Sequence, residues 1–496
     1  MAFYLFLLVN AVLFIRPAEL IPELASVPIY EVLILSCTAC ALFDLMDQFF
    51  SRDWADQPLT LILLSLLALT GVQAFLGICD PEKGTFEYLK VVIYYFLLVS
   101  VINTPQRLNL FLLAISLFCV AVVAMAVLNY HEFIELENLD AMEDVRGGGS
   151  VNEMVHLRLR GTGIFNDPND FGKVFVIAFP LTVYWLTSKN SNFMYRVFWI
   201  LALVLFAYGV YLTKSRGGAL AVFFGLMVVV QARYGWGRVL WFVLPALPLL
   251  AIVFVTRSGE SGDTAQLRLQ VWASAFDHLK GSVLNFLFGI GINEYANKSW
   301  FVAHNSFMHS YVELGFFGGT LFMGAFAYSI WNLYQLNRMN QSGQMDSPPN
   351  HSVEHPILTD PLNQHGDYFN GAFPTAYPYS SDQGHNIPQS GNLATLALPT
   401  DQANPVKVAN PMLLRMAPIL AGIAAGYAGI MMTISCGFTV PTYMVLGLAT
   451  CQLRLALPTP MPKSMRFNVS QLQRLFLMSV CFLVVMYVGL RLFVRF

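Results

Sequence analysis

The sequence predicts an all-α, polytopic integral membrane protein of about 12–13 transmembrane helices, on three observations. Of 496 residues, 56% are hydrophobic and only 12% charged, against roughly 25% charged in an average soluble domain. The mean hydropathy is +0.57. The apolar residues fall in runs long enough to cross a bilayer, which takes about 20 residues of helix. The net charge of -2, with no Lys/Arg-rich run, gives no electrostatic footprint for nucleic acid.

Thirteen runs satisfy the length criterion or approach it: 2–15, 28–46, 59–79, 86–102, 107–129, 172–187, 193–212, 217–231, 239–255, 310–334, 412–433, 437–456 and 473–493. The first has no basic residue before it and no small-residue cleavage site after it, so it reads as a retained span and not a signal peptide. All seven cysteines lie in or at the ends of these runs and read as packing residues, including the Cys37-x-x-Cys40 pair. Basic residues (Arg52, Arg107, Lys189, Arg196, Arg233, Arg238, Arg338, Lys463 and Arg466) mark alternate loops as cytoplasmic. The opposite loops, 130–171, 213–216 and 256–309, also carry basic residues, which breaks the tendency and asks for a reason. The organisation expected is therefore a membrane domain over 1–338 with extracytoplasmic functional loops at 130–171, 213–216 and 256–309. A disordered cytoplasmic insertion over 339–410 follows, and 411–496 returns to the same membrane domain. The insertion holds nine Pro and one basic residue, Lys407, and cannot bury enough apolar surface to offset chain entropy. Its histidines (His351, His355, His365, His385) have no metal-site spacing; it is expected to be dispensable for chemistry and open to a cytoplasmic partner.

Three outer-loop features carry candidate chemistry. In Arg158-Leu-Arg160-Gly161-Thr-Gly163-Ile-Phe-Asn166-Asp-Pro168-Asn169-Asp170 the turn-forming residues read as a connector into the next span. Alternatively, Arg158 and Arg160 beside turn-exposed amides make an anion-binding concavity, with Asn166 and Asn169 hydrogen-bonding a sugar or phosphate. Lys214-Ser215-Arg216-Gly217-Gly218 puts two cations at a helix start, where the dipole disfavours them, on a face where positive charge is disfavoured. An anion on the helix N-terminus, approached closely over the glycines, relieves that conflict; snorkelling to lipid phosphates is the alternative. The third loop carries Arg268 and Trp272, four apart and so on one helical face, where the ring can brace the guanidinium. It then carries Gly289-Ile-Gly291 and His304-Asn305-Ser306. Gly315 and Gly318, three apart, are expected to let another helix approach. Two spans separate Arg160 from Arg216 and two more separate Arg216 from Arg268. These arginines and His304 therefore face one side whichever way the chain is inserted, as a strongly anionic ligand beside a proton acceptor requires. There is no H-E-x-x-H, zinc-spaced Cys/His set, Walker loop or nucleophile elbow, and no cofactor or metal is expected.

The G-I-F-N-D-P-N turn, S-R-G-G, R-x-x-x-W, and His304-Asn305 followed by nine residues and Gly315-x-x-Gly318 resemble the O-antigen ligase and polymerase superfamily of bacterial envelope glycan transferases. The motifs run from about 158 to 319. The resemblance implies a C-type glycosyltransferase of the cytoplasmic membrane, active on its extracytoplasmic face without metal. Its donor is a glycan on undecaprenyl diphosphate and its acceptor a glycan or a lipid hydroxyl, as in lipopolysaccharide and polysaccharide biosynthesis. The family's basic residues map onto Arg160, Arg216 and Arg268, its histidine onto His304, and a membrane-embedded lysine onto Lys90; Lys214 and Asn305 stand beside these. The physical chemistry agrees. Arginines stabilise the charge that grows on a diphosphate leaving group, and an imidazole suits removal of the acceptor proton. Inversion at the anomeric carbon is then expected, with His309 tolerating substitution better than His304. Ligase and polymerase remain open, and a bicarbonate-type anion transporter is the rival from another class.

Overall fold

The computed structural model describes all residues except 51–55, 137–138, 147–153, 189–191, 256–260, 299–302, 346–409, 463 and 494–496. The chain opens with α1 (Ala2–Ile15), the short α2 (Pro17–Leu20), and α3 (Ile29–Cys40) with α4 (Leu42–Phe50), a pair bent by 60°. Next come α5 (Pro58–Phe75), α6 (Glu87–Val101), led by a π-turn over 82–86, and α7 (Pro105–Tyr130). A hairpin, β1 (Met142–Arg146) and β2 (Met154–Arg158), precedes α8 (Pro168–Leu186), α9 (Phe193–Thr213), α10 (Arg216–Tyr234) and α11 (Trp236–Val255). The segment after α11 folds as α12 (Ser261–Lys280), α13 (Val283–Phe288) and α14 (Tyr295–Lys298). The chain closes with α15 (Ser306–Met345), α16 (Pro411–Met431), α17 (Val440–Ala456) and α18 (Val469–Phe493).

Each of the thirteen expected runs is helical. Nine helices among the described residues are long and apolar enough to span a membrane, and the bent α3–α4 pair makes a tenth; this is a multi-pass membrane protein. Helices α8, α11 and α17 are not among these, and α8 and α17 lie inside the bundle. Most residues of each are buried, with α8 packed on α9, α10 and α16, and α17 on α6 and α16. A helix shielded from lipid by its neighbours needs neither the length nor the unbroken apolarity of one that faces it. By the same measure α16 is central, with 78% of its span window buried, and α18 peripheral, with 17%. Close backbone approach joins α10 to α16: a Cβ on Gly225 would sit 2.8 Å from the Gly422 carbonyl and one on Gly426 2.9 Å from that of Ala221.

Two boundaries differ from expectation. The loop over 130–171 is not wholly irregular, since β1 and β2 pair antiparallel with Met142 opposite Arg158. Two five-residue strands in a polar loop give no periodic signal long enough to read. The insertion expected to start at 339 begins later, because α15 continues to Met345 and Asn410 already caps α16 through its side chain. The rest of that insertion, with its four histidines, lies outside the described residues.

Candidate active site

Hydrogen bonds sort the helix ends into two groups. At one end, Arg158 Nε donates to the Thr213 carbonyl (3.1 Å) at the close of α9, and its second amino group to Asn169 Oδ1 (3.3 Å) at the head of α8. Ser306 Oγ, at the head of α15, donates to the Ile434 carbonyl (2.7 Å) between α16 and α17. At the other end Arg454 closes α17 against α4 and α6. Arg160, Arg216, Arg268 and His304 all belong to the first end, as span parity requires.

The 158–170 turn divides its polar residues between structure and surface. Asp167 caps α8, accepting from the Asn169 amide (2.7 Å), and Pro168 at the first helical position needs no donor there. Asn169 Oδ1 also receives the Ser215 hydroxyl (2.9 Å), so this side chain joins α8, α10 and the post-hairpin chain. Arg158, 5% exposed, is the internal clasp. Arg160 lies further out, where Nε donates to the Asp140 carbonyl (2.6 Å) and an amino group to Asn166 Oδ1 (3.2 Å). Arg160 and Asn166 thus form a half-exposed guanidinium–amide pair, whereas Asn169 is occupied by protein partners.

Between α9 and α10 the chain reverses in two residues. Lys214 takes the left-handed conformation (φ 51, ψ 25), and Ser215 caps α10 by accepting from the Gly218 amide (3.2 Å). The glycines that follow serve packing, contrary to the expectation that they admit a ligand. A Cβ on Gly217 would lie 2.6 Å from Thr433 Oγ1, and Gly172 approaches the Gly218 Cα so closely that its own Cβ would sit 3.2 Å from it. Lys214 and Arg216 are both half-buried beside this corner.

The histidine is presented by two elements. Trp272 on α12 donates its indole N–H to the Ala303 carbonyl (2.6 Å). The ring expected to brace Arg268 therefore holds the chain directly before His304, while Arg268, on the same face of α12, bears on the imidazole electrostatically. His304 itself has φ 46, a conformation disfavoured for a side chain with a Cβ. Asn305, 2% exposed, accepts from the amides of Phe307 and Met308 (3.1 Å each) and so caps α15. Burial and then the Arg268 charge lower the His304 pKa from its ordinary value, and the Asp167 and Asp170 carboxylates pull it back upward. The imidazole is held neutral near pH 7, with carboxylates close enough to stabilise it once it takes a proton.

Several residues of this cluster were not singled out from sequence. Asp170 accepts from the Cys436 thiol (3.2 Å) and faces Lys173 Nζ (3.8 Å), whose side chain is fully buried and lies 5.9 Å over the Phe165 ring. The Cys436 amide donates to Ser306 Oγ (3.1 Å), tying this pair to the segment after His304. The i,i+3 spacing of an acid and a base in an apolar helix head was the available signal. Lys90 stands apart, exposed at the start of α6 and paired with Glu87 (2.6 Å). His309 is not a free surface residue: its Nε2 meets Glu313 Oε1 at 3.0 Å, and Glu313 is 1% exposed. Its substitution is therefore expected to cost stability.

Gly315 also departs from its expected role. It interrupts α15 (φ 68, ψ −170) and does not lie on a continuous helical face with Gly318. The carbonyls of Val312 and Glu313, released from the helix, accept instead from Ile290 (2.9 Å) and Gly291 (3.1 Å). Gln73 of α5 adds a bond to Glu313 (2.7 Å). Gly289 (φ 81) and Gly315 lie backbone to backbone, where a Cβ on either would collide with main-chain atoms of the other strand. Gly318 does keep its packing function, since a Cβ there would lie 2.8 Å from Leu69 of α5.

Residues 201–323 match the family model described as O-antigen ligase. The match runs from α9 into α15 and takes in Arg216, Arg268 and His304. No curated protein matches the chain.

Proposed function

We propose that this chain, whose residues 201–323 match the O-antigen ligase family model, transfers a glycan from undecaprenyl diphosphate to a hydroxyl of a glycan or lipid acceptor. The observation that supports this reading is the setting of His304. It is an imidazole kept neutral by burial and by Arg268, fixed through Ala303 by Trp272, at the bundle end that also carries Arg160 and Arg216. In the proposed reaction the acceptor O–H gives its proton to the imidazole and the oxygen attacks the anomeric carbon. The bond from that carbon to the diphosphate breaks, and the electron pair leaves on the diphosphate, whose growing charge is met by Arg160, Arg216 and Arg268. A single displacement inverts the anomeric carbon and needs neither a covalent enzyme intermediate nor a cofactor. The reading places this end on the extracytoplasmic face of the cytoplasmic membrane, with Lys214 adding positive potential to the donor site and Asn166 orienting Arg160. Asn169 and Asn305 serve it as framework, and Lys90 as a peripheral cation.

The test is transfer in liposomes with purified lipid-diphosphate glycan and acceptor. His304→Ala is expected to lower the rate by about 10²-fold or more while donor binding persists. Retention of more than about a tenth of the wild-type rate would remove the base from the mechanism.

A further inference from the structure

At the opposite end of the bundle lies a cavity of about 590 Å³, bounded by the ends of α4 and α17, the start of α5 and the 457–461 turn. Its polar wall is unbalanced. Gln57, 5% exposed, uses its carbonyl oxygen to accept from Gln48, which leaves its Nε2 donor without a partner among the described residues. Arg454 donates to Gln48 Oε1 (2.9 Å) and to the Ile102 carbonyl (2.8 Å), both neutral oxygens, and its buried Nε is also without a partner. Among the described residues the nearby carboxylates are engaged elsewhere or exposed. Asp56 is engaged by Arg466 Nε (2.9 Å) and the Met461 amide (3.1 Å), and Asp47 stands at the exposed rim. A half-buried guanidinium whose hydrogen-bond partners among the described residues are neutral, and a second orphaned donor, leave the site short of acceptors. Leu59, Leu453 and Leu457 give the wall an apolar side.

We propose that this cavity binds a phosphate group, from an anionic lipid headgroup or from a soluble phosphate compound, at Arg454 and Gln57, at the bundle end remote from His304. A phosphate supplies several acceptor oxygens and the counter-charge that Arg454 lacks among the described residues, and the leucine side accommodates an acyl chain entering beside it. The site is independent of the transferase reading, since none of its residues belongs to the His304 end.

The experiment is thermal unfolding of the full-length protein in detergent, titrated separately with phosphatidylglycerol, inorganic phosphate and diacylglycerol. Phosphatidylglycerol is expected to raise Tm by at least about 3 °C, as mass action on the folded state requires, and diacylglycerol to leave it unchanged. A shift with phosphatidylglycerol alone assigns the site to a lipid headgroup; an equal shift with inorganic phosphate assigns it to a soluble ligand. Gln57→Leu, which removes the orphaned donor, and Leu457→Trp, which fills the cavity from its apolar side, should each at least halve the shift. No shift with either phosphate source, an equal shift with diacylglycerol, or a shift unchanged in both variants would overturn the proposal.

Discussion

Replacing Trp272 by Phe keeps an aromatic ring on α12 and deletes one hydrogen bond, the indole N–H to the Ala303 carbonyl. Ala303 is fully buried, so the carbonyl is left without its donor where water does not readily replace it, a loss of about 1–3 kcal/mol. His304, the next residue, sits at φ 46, a conformation that costs a residue with a Cβ about 1–2 kcal/mol. The tether and the strain are of the same size. Without the tether the histidine therefore relaxes toward ordinary backbone geometry and its imidazole leaves the Arg268 end of the site. Since about 1.4 kcal/mol is a factor of ten in rate, Trp272→Phe should lower transfer by roughly tenfold or more. Tm should fall little, because α12 keeps its other contacts. The assay is single-turnover transfer in liposomes, with unfolding of the same preparation followed in parallel. Wild-type turnover in a normally folded Trp272→Phe protein would refute the idea that this bond holds the base in place.

The remaining expectations concern charge. A neutral imidazole acts as base, so transfer should rise with pH through a His304 pKa below 6.5 and level off by neutral pH. Arg268→Gln removes a cation that lowers that pKa and should move the rising limb to higher pH; Asp170→Asn removes an anion that raises it and should move the limb lower. Limbs that stay in place in both variants would show that neither charge reaches the imidazole. Arg216→Lys keeps the charge and loses the planar fork, so transfer should drop at least about tenfold with normal expression; full activity would return Arg216 to a lipid-anchoring role. His309→Ala leaves the buried Glu313 carboxylate with only the Tyr295 amide and should cost about 1–3 kcal/mol of stability. It would be read as a lower Tm with turnover per folded molecule largely kept, and a selective loss of turnover at unchanged Tm would contradict that.

Apolar run length carried most of the architecture, because a helix facing lipid must satisfy both length and composition, and all thirteen runs are helical. Span parity was equally legible, since it depends only on counting, and it brought Arg160, Arg216, Arg268 and His304 to one end. What remained hidden depends on which partner a residue meets. Gly217 and Gly218 look the same whether a ligand or Thr433 and Gly172 approach them, and Asn169 and Asn305 carry the same amide whether it meets a sugar or caps a helix. Arg158 and Arg160 are two residues apart in one motif, yet one is a buried clasp and the other half-exposed. His309 is paired inward because Glu313 lies one helical turn away, a spacing the sequence carries while the burial of the pair it does not. The Asp170–Lys173–Cys436 cluster joins residues more than 260 positions apart, which no local pattern exposes.

The break at Gly315 has a mechanical consequence. The segment from Ser306 to Leu314, with His304 just ahead of it, is not a continuation of the long helix below; it is a separate short helix, pinned by Ile290, Gly291 and Gln73 at one end and by the Ser306 bond to the Ile434 carbonyl at the other. The position of His304 is therefore set by the loops and helices around that short helix and not by the axis of the membrane-crossing rod.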